Sequence, residues 1–246
     1  KRSIFDFIKK LVSSPKSPDS ESGFEVYPRS AHTVSRAQIS DNALKVLYRL
    51  KSNGYQSYLV GGCVRDLLLG LEPKDFDVVT DASPEQIKAI FRNCRLIGRR
   101  FRLAHVHFGR EIIEVATFRG ASGDDGGADR VHENGRLLRD NVYGTIEEDV
   151  WRRDFTVNAL YYNIRDFSII DYVNGFKDHQ QGILRLIGDS EVRYREDPVR
   201  MLRAVRFSAK LDFQLDPESA KSMGEMANLL QDVPSARLYD EVLKLF

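Results

Sequence analysis

The stretch YLVGGCVRDLLLGLEPKDFDVVT, residues 58–80, predicts a strand, a glycine turn, a helix and a second strand. The turn falls on Gly61 and Gly62, which let backbone N–H groups come close to a neighbouring group. In the second strand Asp75 and Asp77 project from one face, because alternate side chains of a strand share a face. The stretch therefore predicts an α/β unit that directs two carboxylates at one point.

The carboxylate pair by itself has two interpretations. Asp75 and Asp77 could be solvated side chains on an edge strand, or they could bind a cation that relieves their mutual repulsion. Mg²⁺ is commonly bound by one or two carboxylates together with substrate phosphates. A glycine pair alone is more often a tight turn, but Gly61 and Gly62 here open a helix whose N-terminus suits a phosphate, and Arg65 follows one turn later. This context favours a phosphate and metal site.

A third carboxylate would complete a site for two metal ions, which activate the attacking oxygen and stabilise the leaving group. Glu114 is the candidate, since it lies in the predicted strand EIIEVATF, residues 111–118. It interrupts the otherwise apolar face of Ile112, Ala116 and Phe118. The pattern leaves two alternatives open: an exposed residue of an edge strand, or an acid that faces the site.

The segment RRDFTVNAL, residues 152–160, concentrates polar residues ahead of an apolar run. A charged first helical turn with Asp154 as its cap would explain this pattern. Contact of Arg153 or Asn158 with a triphosphate or a ribose is compatible with that role. The surrounding sequence IEEDVWRRDFTVNALYYN, residues 146–163, predicts a single helix.

The stretch REDPVRMLRAVRFSAKL, residues 195–211, predicts a helix that begins at Asp197 and Pro198. Arginines recur at every third position of this helix: Arg200, Arg203 and Arg206. An α-helix has about 3.6 residues per turn, so each step of three drifts by roughly 60° and the stripe turns towards the apolar face. Some of these arginines must therefore lie against other protein groups or a ligand. Together with Asp197 they could pair with a base edge or with phosphates.

A basic patch is predicted in GRRFRLAH, residues 98–105, where three arginines surround an aromatic residue. These residues are Arg99, Arg100, Phe101 and Arg102. Cations interleaved with an aromatic ring suit an RNA backbone and its bases. His105 and His107 share the face of the next strand and could bind a metal ion. No third ligand is in view, however, which favours a structural or RNA-contact role for both.

Composition limits the class of protein. The 246 residues are 42% hydrophobic and 30% charged, which suits a soluble globular chain. Lys+Arg 37 against Asp+Glu 36 give a net charge of +1, so affinity for nucleic acid has to come from local basic clusters. Cys63 and Cys94 are too few for a disulfide scaffold and predict reduced thiols.

Two segments predict irregular structure. KRSIFDFIKKLV, residues 1–12, has the spacing of a short basic amphipathic helix that could touch an anionic surface, although a mobile terminus is favoured. Residues 120–136 carry almost no apolar side chain and predict a mobile loop. No apolar run approaches the roughly 20 residues of a membrane span. The cytoplasm is the expected location, with peripheral membrane contact through the N-terminal segment as a further expectation.

The order of the predicted elements favours an α+β fold with two domains that follow a flexible N-terminal segment, residues 1–39. Residues 40–181 are expected to form a catalytic head in which a mixed sheet of about five strands packs with helices. Residues 182–246 are expected to form an all-α neck domain. The missing initial Met and the helical periodicity of the last residues predict a fragment with more helix beyond its end.

Three motifs together resemble the class II nucleotidyltransferases, the family of bacterial poly(A) polymerases and CCA-adding enzymes within the DNA polymerase β superfamily. LVGGCVRDLLLG with KDFDVVT resembles the active-site motif, RRDFTVNAL the second motif, and EDPVRMLRAVRF the nucleotide-recognition motif of this family. The resemblance runs in the family's order from Ser40 to the C-terminus. LIGRRFRLAHV, residues 96–106, resembles a signature of the poly(A) polymerase branch.

The resemblance implies a role for individual residues. Asp75, Asp77 and Glu114 would bind two catalytic Mg²⁺ ions, and Asp154 would be a further catalytic residue. The positions that would bind the nucleotide are Gly61, Gly62, Arg65, Arg153, Asn158, Asp197, Arg200, Arg203 and Arg206. The implied fold is a polymerase-β-like nucleotidyltransferase head followed by the helical neck, without the later body and tail domains of the family.

The implied function is template-independent transfer of AMP from ATP to an RNA 3′ hydroxyl with release of pyrophosphate, in RNA processing and decay. The expected partners are ATP, RNA 3′ ends and RNA-decay or RNA-chaperone proteins. CCA addition to tRNA is the alternative with the same chemistry. The carboxylates argue against a non-catalytic RNA-binding protein, and the arginine-rich helix argues against a small-molecule nucleotidyltransferase.

Overall fold

The computed structural model describes most of the chain. The described residues are 23–98, 102–120, 130–133, 136–140 and 143–244. The predicted amphipathic segment at the N-terminus lies outside them, as do Arg99, Arg100 and Phe101 of the predicted basic patch. Within the predicted loop at 120–136, residues 130–133 instead form a strand.

Strands dominate the first half of the described chain and helices dominate the second half. The strands are β1 (Glu25–Tyr27), β2 (Ser57–Val60), β3 (Asp77–Thr80), β4 (Cys94–Ile97), β5 (Leu103–Phe108), β6 (Glu111–Thr117), β7 (Arg130–Glu133), β8 (Arg136–Asp140), β9 (Leu160–Asn163), β10 (Ile169–Asp171), β11 (Ile183–Leu184) and β12 (Gln214–Leu215). The helices are α1 (Asp41–Ser52), α2 (Gly62–Leu68), α3 (Pro84–Ile90), α4 (Ile146–Trp151), α5 (Gly175–Gln181), α6 (Ser190–Glu196), α7 (Val199–Leu211), α8 (Pro217–Met226) and α9 (Ser235–Leu243). Across the described residues, no helix is long and apolar enough to cross a membrane.

One mixed sheet organises the first part of the fold, with eight strands in the order β1-β10-β9-β2-β3-β6-β5-β4. β3 and β6 run parallel, and the other neighbours pair antiparallel. The mixed sheet is confirmed, but it is wider than the expected sheet of about five strands. The difference arises because β1 and β9, which the sequence pattern does not predict, join β10 on one side.

The prediction of one helix over residues 146–163 is wrong. Helix α4 ends at Trp151, the backbone becomes extended at Phe155, and a short turn then leads into β9. Tyr161 and Tyr162 of β9 are completely buried, one on each face of the sheet. A short apolar run fits a buried central strand as well as a helix, so periodicity alone cannot distinguish the two.

Side-chain caps begin two of the helices that pack on the sheet. The Ser40 hydroxyl accepts hydrogen bonds from the backbone N–H groups of Asn42 and Ala43 and so caps α1. Ser83 and Gln86 form a reciprocal capping box at the start of α3, with Pro84 in its first turn. These caps satisfy N–H groups that have no partner within the helix.

Apolar cores lie on both faces of the sheet. Helices α1, α2 and α3 pack against one face, where Leu59 and Val78 are buried. The other face carries a smaller core that contains Val79 and Val150 of α4. Because side chains alternate along β3, Asp77 projects from the same face as Val79. The Asp77 carboxylate therefore lies on the α4 side of the sheet.

A third core forms in the C-terminal part of the chain, chiefly from residues of α6, α7 and α8. This part is not all-α as predicted, because β11 and β12 form a short parallel pair. Phe155 and Val157 also pack into this core, although they precede the predicted domain boundary at residue 182. The division into residues 40–181 and 182–246 stays a prediction.

The N-terminal part of the described chain is attached to the sheet. The sequence predicts a flexible segment over residues 1–39, whereas the structure pairs β1 with β10. The Tyr27 ring stacks on Phe176 with 4.0 Å between ring centroids, and Val34 and Ile39 are buried. A few apolar side chains are enough to hold a short edge strand. The sequence pattern does not predict this strand, because these few side chains lie in a mostly polar segment.

Replacement of Gly175 by Ala tests the packing of α5 against the turn that leads into β9. A Cβ atom at Gly175 would lie 2.1 Å from the backbone oxygen of Thr156, which cannot move aside. We expect Gly175→Ala to lower the free energy of unfolding by roughly 1–3 kcal/mol, measured by urea denaturation. Gly224→Ala in α8 is the control, since its Cβ would meet open space and a gain of about 0.5–1 kcal/mol is expected. Equal effects of the two substitutions would contradict this account.

Candidate active site

The turn between β2 and α2 borders the Asp77 carboxylate. Gly61 has φ +79°, a backbone conformation that favours glycine. A Cβ atom there would lie 3.8 Å from Asp77 Oδ2 and 3.8 Å from Arg153 Nη1. The backbone of Gly61 thus faces the space between a carboxylate and a guanidinium group, which agrees with the predicted close approach of the glycine turn to the site.

The sheet register places the acidic side chains in one row. Asp77 of β3 lies opposite Glu114 of β6, and Glu114 lies opposite His105 of β5. His105 Nε2 is 3.8 Å from Glu114 Oε2. Both β3 and β6 are interior strands, so neither Asp77 nor Glu114 belongs to an edge strand. Of the two alternatives for Glu114, the register supports an acid on the Asp77 face.

Mutual repulsion is visible in the acidity of Asp77. Burial raises the pKa of its carboxyl group to about 6, and the negative charges of Glu114 and Asp75 add to this effect. Arg153 opposes the shift with its positive charge. Among the described residues, no three His, Cys, Asp or Glu side chains stand close enough to hold a metal ion by themselves. The predicted three-carboxylate arrangement is therefore not preformed, although two of its members are neighbours.

Arg153 is fixed beside the carboxylates by a network that the sequence pattern does not reveal. Its Nε and Nη2 atoms donate to Asp149 Oδ2 at 3.1 and 2.9 Å, and Nε also donates to the Tyr161 hydroxyl at 2.9 Å. The Tyr161 hydroxyl in turn donates to Asp149 Oδ2 at 2.8 Å. The spacing of four residues between Asp149 and Arg153 on a predicted helix was the available signal for this pair.

Asp154 connects the sheet part of the molecule to helix α7. Its carboxylate accepts hydrogen bonds from Arg203 Nε at 2.9 Å, Asn158 Nδ2 at 3.1 Å and the Phe155 backbone N–H at 2.8 Å. Burial alone would raise the pKa of Asp154, but the charge of Arg203 and these hydrogen bonds hold that pKa below its usual range. The carboxylate is thus ionised and engaged with protein donors, in a position to orient Arg203.

Arg65 does not face the solvent as a phosphate contact would require. Its side chain is buried, with Nε donating to Asp66 Oδ1 at 2.8 Å and Nη1 donating to Asn158 Oδ1 at 2.7 Å. Its guanidinium group lies 5.0 Å from the centroid of the Phe207 ring. The guanidinium of Arg65 therefore shapes the wall of the site from behind, because its neighbour Asp66 draws it inward.

The arginines of α7 lie against protein carboxylates. Arg200 Nη1 is 3.0 Å from Glu196 Oε2, and Arg206 Nε is 2.6 Å from Glu241 Oε1. At the start of the helix, Asp197 accepts a hydrogen bond from Arg237 Nη2 at 3.0 Å. The expectation that the drifting arginine stripe lies against other groups is confirmed for these protein partners. The carboxylate of Glu241 on α9, which the sequence analysis does not single out, is buried beneath the stripe.

The structure also places the histidines, the remaining described arginine of the basic patch, and Cys63. His105 and His107 occupy the same sheet face, with 6.5 Å between ring centroids. Arg102 of the predicted basic patch donates to Glu85 at 2.6 Å. Cys63 is a free, buried thiol whose pKa is raised to about 12, first by burial and then by the charge of Asp77. It stays protonated at neutral pH.

The chain matches known family models over most of its folded part. The model described as the poly A polymerase head domain matches residues 57–185. A second model, described as the probable RNA and SrmB-binding site of polymerase A, matches residues 212–246. The first match covers Asp77, Glu114, Asp154 and Asn158, whereas Arg203 lies between the two matched ranges.

Curated relatives and solved structures agree with these models. Poly(A) polymerase I of Salmonella typhi is 57% identical over 98% of this chain and 54% of that protein, and the Haemophilus influenzae enzyme is 59% identical over 86% and 48%. The chain spans about half the length of the curated relatives it matches. The CCA-adding enzyme of Lactobacillus gasseri is 38% identical over 82% of this chain and 49% of that protein.

The solved structure of the Bacillus stearothermophilus CCA-adding enzyme in complex with CTP superposes with a TM-score of 0.71 at 36% identity. The superposition covers 82% of this chain and 47% of that protein. This likeness confirms the α+β nucleotidyltransferase head expected from the sequence motifs. On the strength of the head-domain match and the identity to curated relatives, the chain belongs to the poly(A) polymerase family.

Proposed function

We propose that this chain carries the catalytic part of a polynucleotide adenylyltransferase, which transfers AMP from ATP to the 3′ hydroxyl of RNA without a template. The observation that carries the proposal is the pairing of Asp77 with Glu114 beside Gly61 and Arg153, in a chain of the poly(A) polymerase family. This places repelling acids and a cationic group at the edge of a glycine turn. Carboxylates that repel each other do not stabilise the fold, and their arrangement beside a guanidinium group suits a charged substrate.

Mg²⁺ is the metal ion that this donor set fits. Asp75, Asp77 and Glu114 offer carboxylate oxygens only. Burial, followed by the charges of Glu114 and Asp75, raises the pKa of Asp77, and a bound cation would lower it. Since Mg²⁺ usually takes one or two carboxylates and completes its shell with substrate phosphates and water, a preformed cage of three ligands is not required. The bound ions would supply Lewis-acid activation of the 3′ hydroxyl and neutralisation of the triphosphate.

The residues of the chain would position the reactants. The backbone at Gly61 lets a phosphate approach beside Nη1 of Arg153, whereas a Cβ atom at Gly62 would lie 3.4 Å from Nη2 of Arg65, so Gly62 makes room for that guanidinium group. In the reaction the 3′ oxygen forms a bond to the α-phosphorus of ATP, the bond from that phosphorus to the β-phosphate oxygen breaks, and pyrophosphate leaves. Holding these groups in line accounts for much of the acceleration in phosphoryl transfer.

Helix α7 would form the nucleotide-recognition wall. Asp154 orients Arg203, and Asp197 and Arg200 lie on the preceding turn. A guanidinium group held by a carboxylate keeps a fixed plane, which suits the recognition of a base edge. We assign Arg203 and Asp197 to base or ribose contact, Arg206 to the support of this wall through Glu241, and Arg65 and Asn158 to its inner side.

CCA addition to tRNA remains the second candidate, because CCA-adding enzymes share the fold and the chemistry. The higher identity to poly(A) polymerases, 57% against 38% for the Lactobacillus gasseri CCA-adding enzyme, favours polyadenylation. RNA 3′ ends are the proposed acceptors, and the match of residues 212–246 to an RNA-binding model supports this. RNA-decay or RNA-chaperone partners and a cytoplasmic location, with membrane contact through residues 1–12, stay predictions.

Substitution of Asp75 tests the carboxylate assignment. We expect Asp75→Ala to lower the rate of AMP incorporation into a 3′-hydroxyl RNA by more than about 10³-fold, because a group that acts with Asp77 on the reacting centre is lost. The thermal unfolding temperature should stay at the wild-type value, since Asp75 is exposed. Asp240→Ala, at an exposed position of α9, is the control and should retain full activity. Retained incorporation by Asp75→Ala would overturn the assignment.

The choice of nucleotide separates the two candidate functions. With Mg²⁺, a generic RNA with a free 3′ hydroxyl and one labelled nucleotide at a time, we expect ATP alone to give a ladder of products. A rigid base-recognition wall that Asp154 and Arg203 hold in one arrangement should exclude CTP. Growth that needs CTP and occurs only on tRNA without its 3′ end would assign the chain to CCA addition.

The raised pKa of Asp77 predicts that the stability of the metal-free folded protein depends on pH. Its pKa is about 6 in the folded protein against an ordinary value of 3.8 for an aspartate, so ionisation between these values weakens the folded state as pH rises. We expect Asp77→Asn to unfold at a higher temperature than wild type at pH 8 in EDTA, and at the same temperature as wild type at pH 4. Mg²⁺ should stabilise the wild type at pH 8 and not the variant.

The control for this measurement is Asp232→Asn, at an exposed position far along the chain from the carboxylate row. This variant should follow the wild type at both pH values and respond to Mg²⁺ as the wild type does. A pH-independent effect of Asp77→Asn, or equal Mg²⁺ stabilisation of both variants, would contradict the proposed crowding of carboxylates at a metal site.

A further inference from the structure

Among the described residues, the buried core on the carboxylate face contains side chains of β2, β3 and β9 and none of β4, β5 or β6, which form the outer half of the sheet. Along these strands, burial alternates: Ala104, Val106 and Ile113 are buried in the core against α1 and α3. The side chains between them point the other way, and two of these, Ile97 and Ile112, are 47% and 43% exposed. The register places Ile97 and Ile112 on opposite sides of the row that contains Glu114, His105 and Arg95, so each offers a separate apolar contact on this face.

The register connects this open face to the acidic residues. Asp77, Glu114, His105 and Arg95 follow one another across β3, β6, β5 and β4 in a single row. Neighbouring strands lie about 4.8 Å apart, so Arg95 stands roughly 14 Å from Asp77 along the row. The row thus changes from acidic at the interior of the sheet to basic at its edge.

The inner half of the same face, formed by β9, β2 and β3, is covered by protein. The core that contains Val79, Tyr161 and Val150 fills the space between α4 and the strands β9, β2 and β3. On the far side of Arg153, the Asp154 network and α7 form the proposed nucleotide wall. Within the described part of the chain, the approach to Asp77 that these groups leave for an acceptor strand runs over β6, β5 and β4.

The chemistry of the open face suits single-stranded RNA. Arg95 is the cation that the register places on this face, and its guanidinium group supplies charge complementarity to phosphates. Arg95 is exposed on the face itself, and the imidazole ring of His105 lies between it and Glu114. Aliphatic side chains and flat rings on a sheet accept unstacked bases without regard to sequence, as tailing of varied 3′ ends requires.

We propose that the face formed by Arg95, Ile97, Leu103, His105 and Ile112 holds the terminal nucleotides of the acceptor RNA and directs the 3′ hydroxyl to Asp77. We refer to it as the acceptor face. The proposal rests on the proposed function, since it concerns the RNA substrate of the same site. Arg95 contacts a phosphate of the RNA upstream of its 3′ end, and Ile97 contacts a base or ribose.

The salt dependence of RNA binding tests the phosphate contact. The probe is a short fluorescent oligoadenylate without ATP or metal, and binding is followed by fluorescence anisotropy over a series of salt concentrations. Loss of one phosphate contact should reduce the slope of log affinity against log salt by about 0.7 for a single strand. We expect this reduction and several-fold weaker binding for Arg95→Ala. Lys51→Ala, an exposed lysine of α1 on the opposite side of the sheet, should keep the wild-type slope.

A second pair of variants tests the apolar part of the acceptor face. Ile97→Glu introduces a negative charge on the edge strand β4, and we expect it to weaken oligoadenylate binding several-fold. Val26→Glu makes the same change at a side chain that is 50% exposed on the other edge strand, β1, and should bind like wild type. The proposal is overturned if the members of either pair behave alike, or if wild-type protein binds no better than Ile97→Glu.

Steady-state kinetics distinguish failure of this proposal from failure of the proposed function. Arg95→Ala should raise KM for the RNA several-fold and leave KM for ATP unchanged. AMP transfer with an unchanged KM for RNA would contradict the acceptor face and leave polyadenylation standing. Binding that depends on Arg95 in a protein that transfers no AMP would contradict polyadenylation and leave the acceptor face standing.

Discussion

The parallel pairing of β3 with β6 is the constraint on which the candidate site depends. It sets Asp77 opposite Glu114 in the middle of the sheet, where burial raises the pKa of Asp77 and the charge of Glu114 raises it further. The buried valines of both strands hold the register, because a slip by one residue would turn Val78 out of its core. Arg153 offsets part of the repulsion, and a bound cation would offset the rest.

A chain of buried hydrogen bonds ties this row to the C-terminal helices. Arg65 donates to Asn158, Asn158 donates to Asp154, and Asp154 accepts from Arg203 of α7. Removal of Arg203 would leave the largely buried Asp154 carboxylate without its cationic partner, at a cost of about 3–5 kcal/mol. The spacing between the carboxylates and the arginine helix is therefore rigid. Such rigidity suits the selection of one nucleotide, because a competing base finds polar groups that cannot rearrange around it.

The two halves of the carboxylate face have different surroundings. α4 covers the inner strands and carries the Asp149–Arg153 pair at its end, whereas the outer strands leave Ile97 and Ile112 exposed. The proposed transfer of AMP to RNA requires that two substrates reach one point from different directions. The side covered by α4 and Arg153 would admit one substrate, and the side of β4, β5 and β6 would admit the other. The carboxylates lie between the two sides.

Local sequence determined which side chains share a face. Alternation in a strand is enough to put Asp77 and Val79 on one face, and Ser40 and Ser83 are enough to begin their helices, whereas Asp75 of the predicted strand lies before β3 begins at Asp77. These features depend only on backbone geometry within a few residues. Long-range pairing decided the rest. The sequence could not show that Glu114 lies beside Asp77, because strand order is set by which apolar faces pack together.

Long-range packing also decided the secondary structure of residues 146–163 and the partners of Arg65. A buried apolar run such as LYYN satisfies helix and strand patterns equally, and only its position between β2 and β10 makes it a strand. The Arg65 side chain could reach solvent phosphates or interior carboxylates, and its neighbours Asp66 and Asn158 decide in favour of the interior. Sequence determined the chemical groups and their local faces, whereas packing decided their partners, since partners distant in the chain meet only in the folded core.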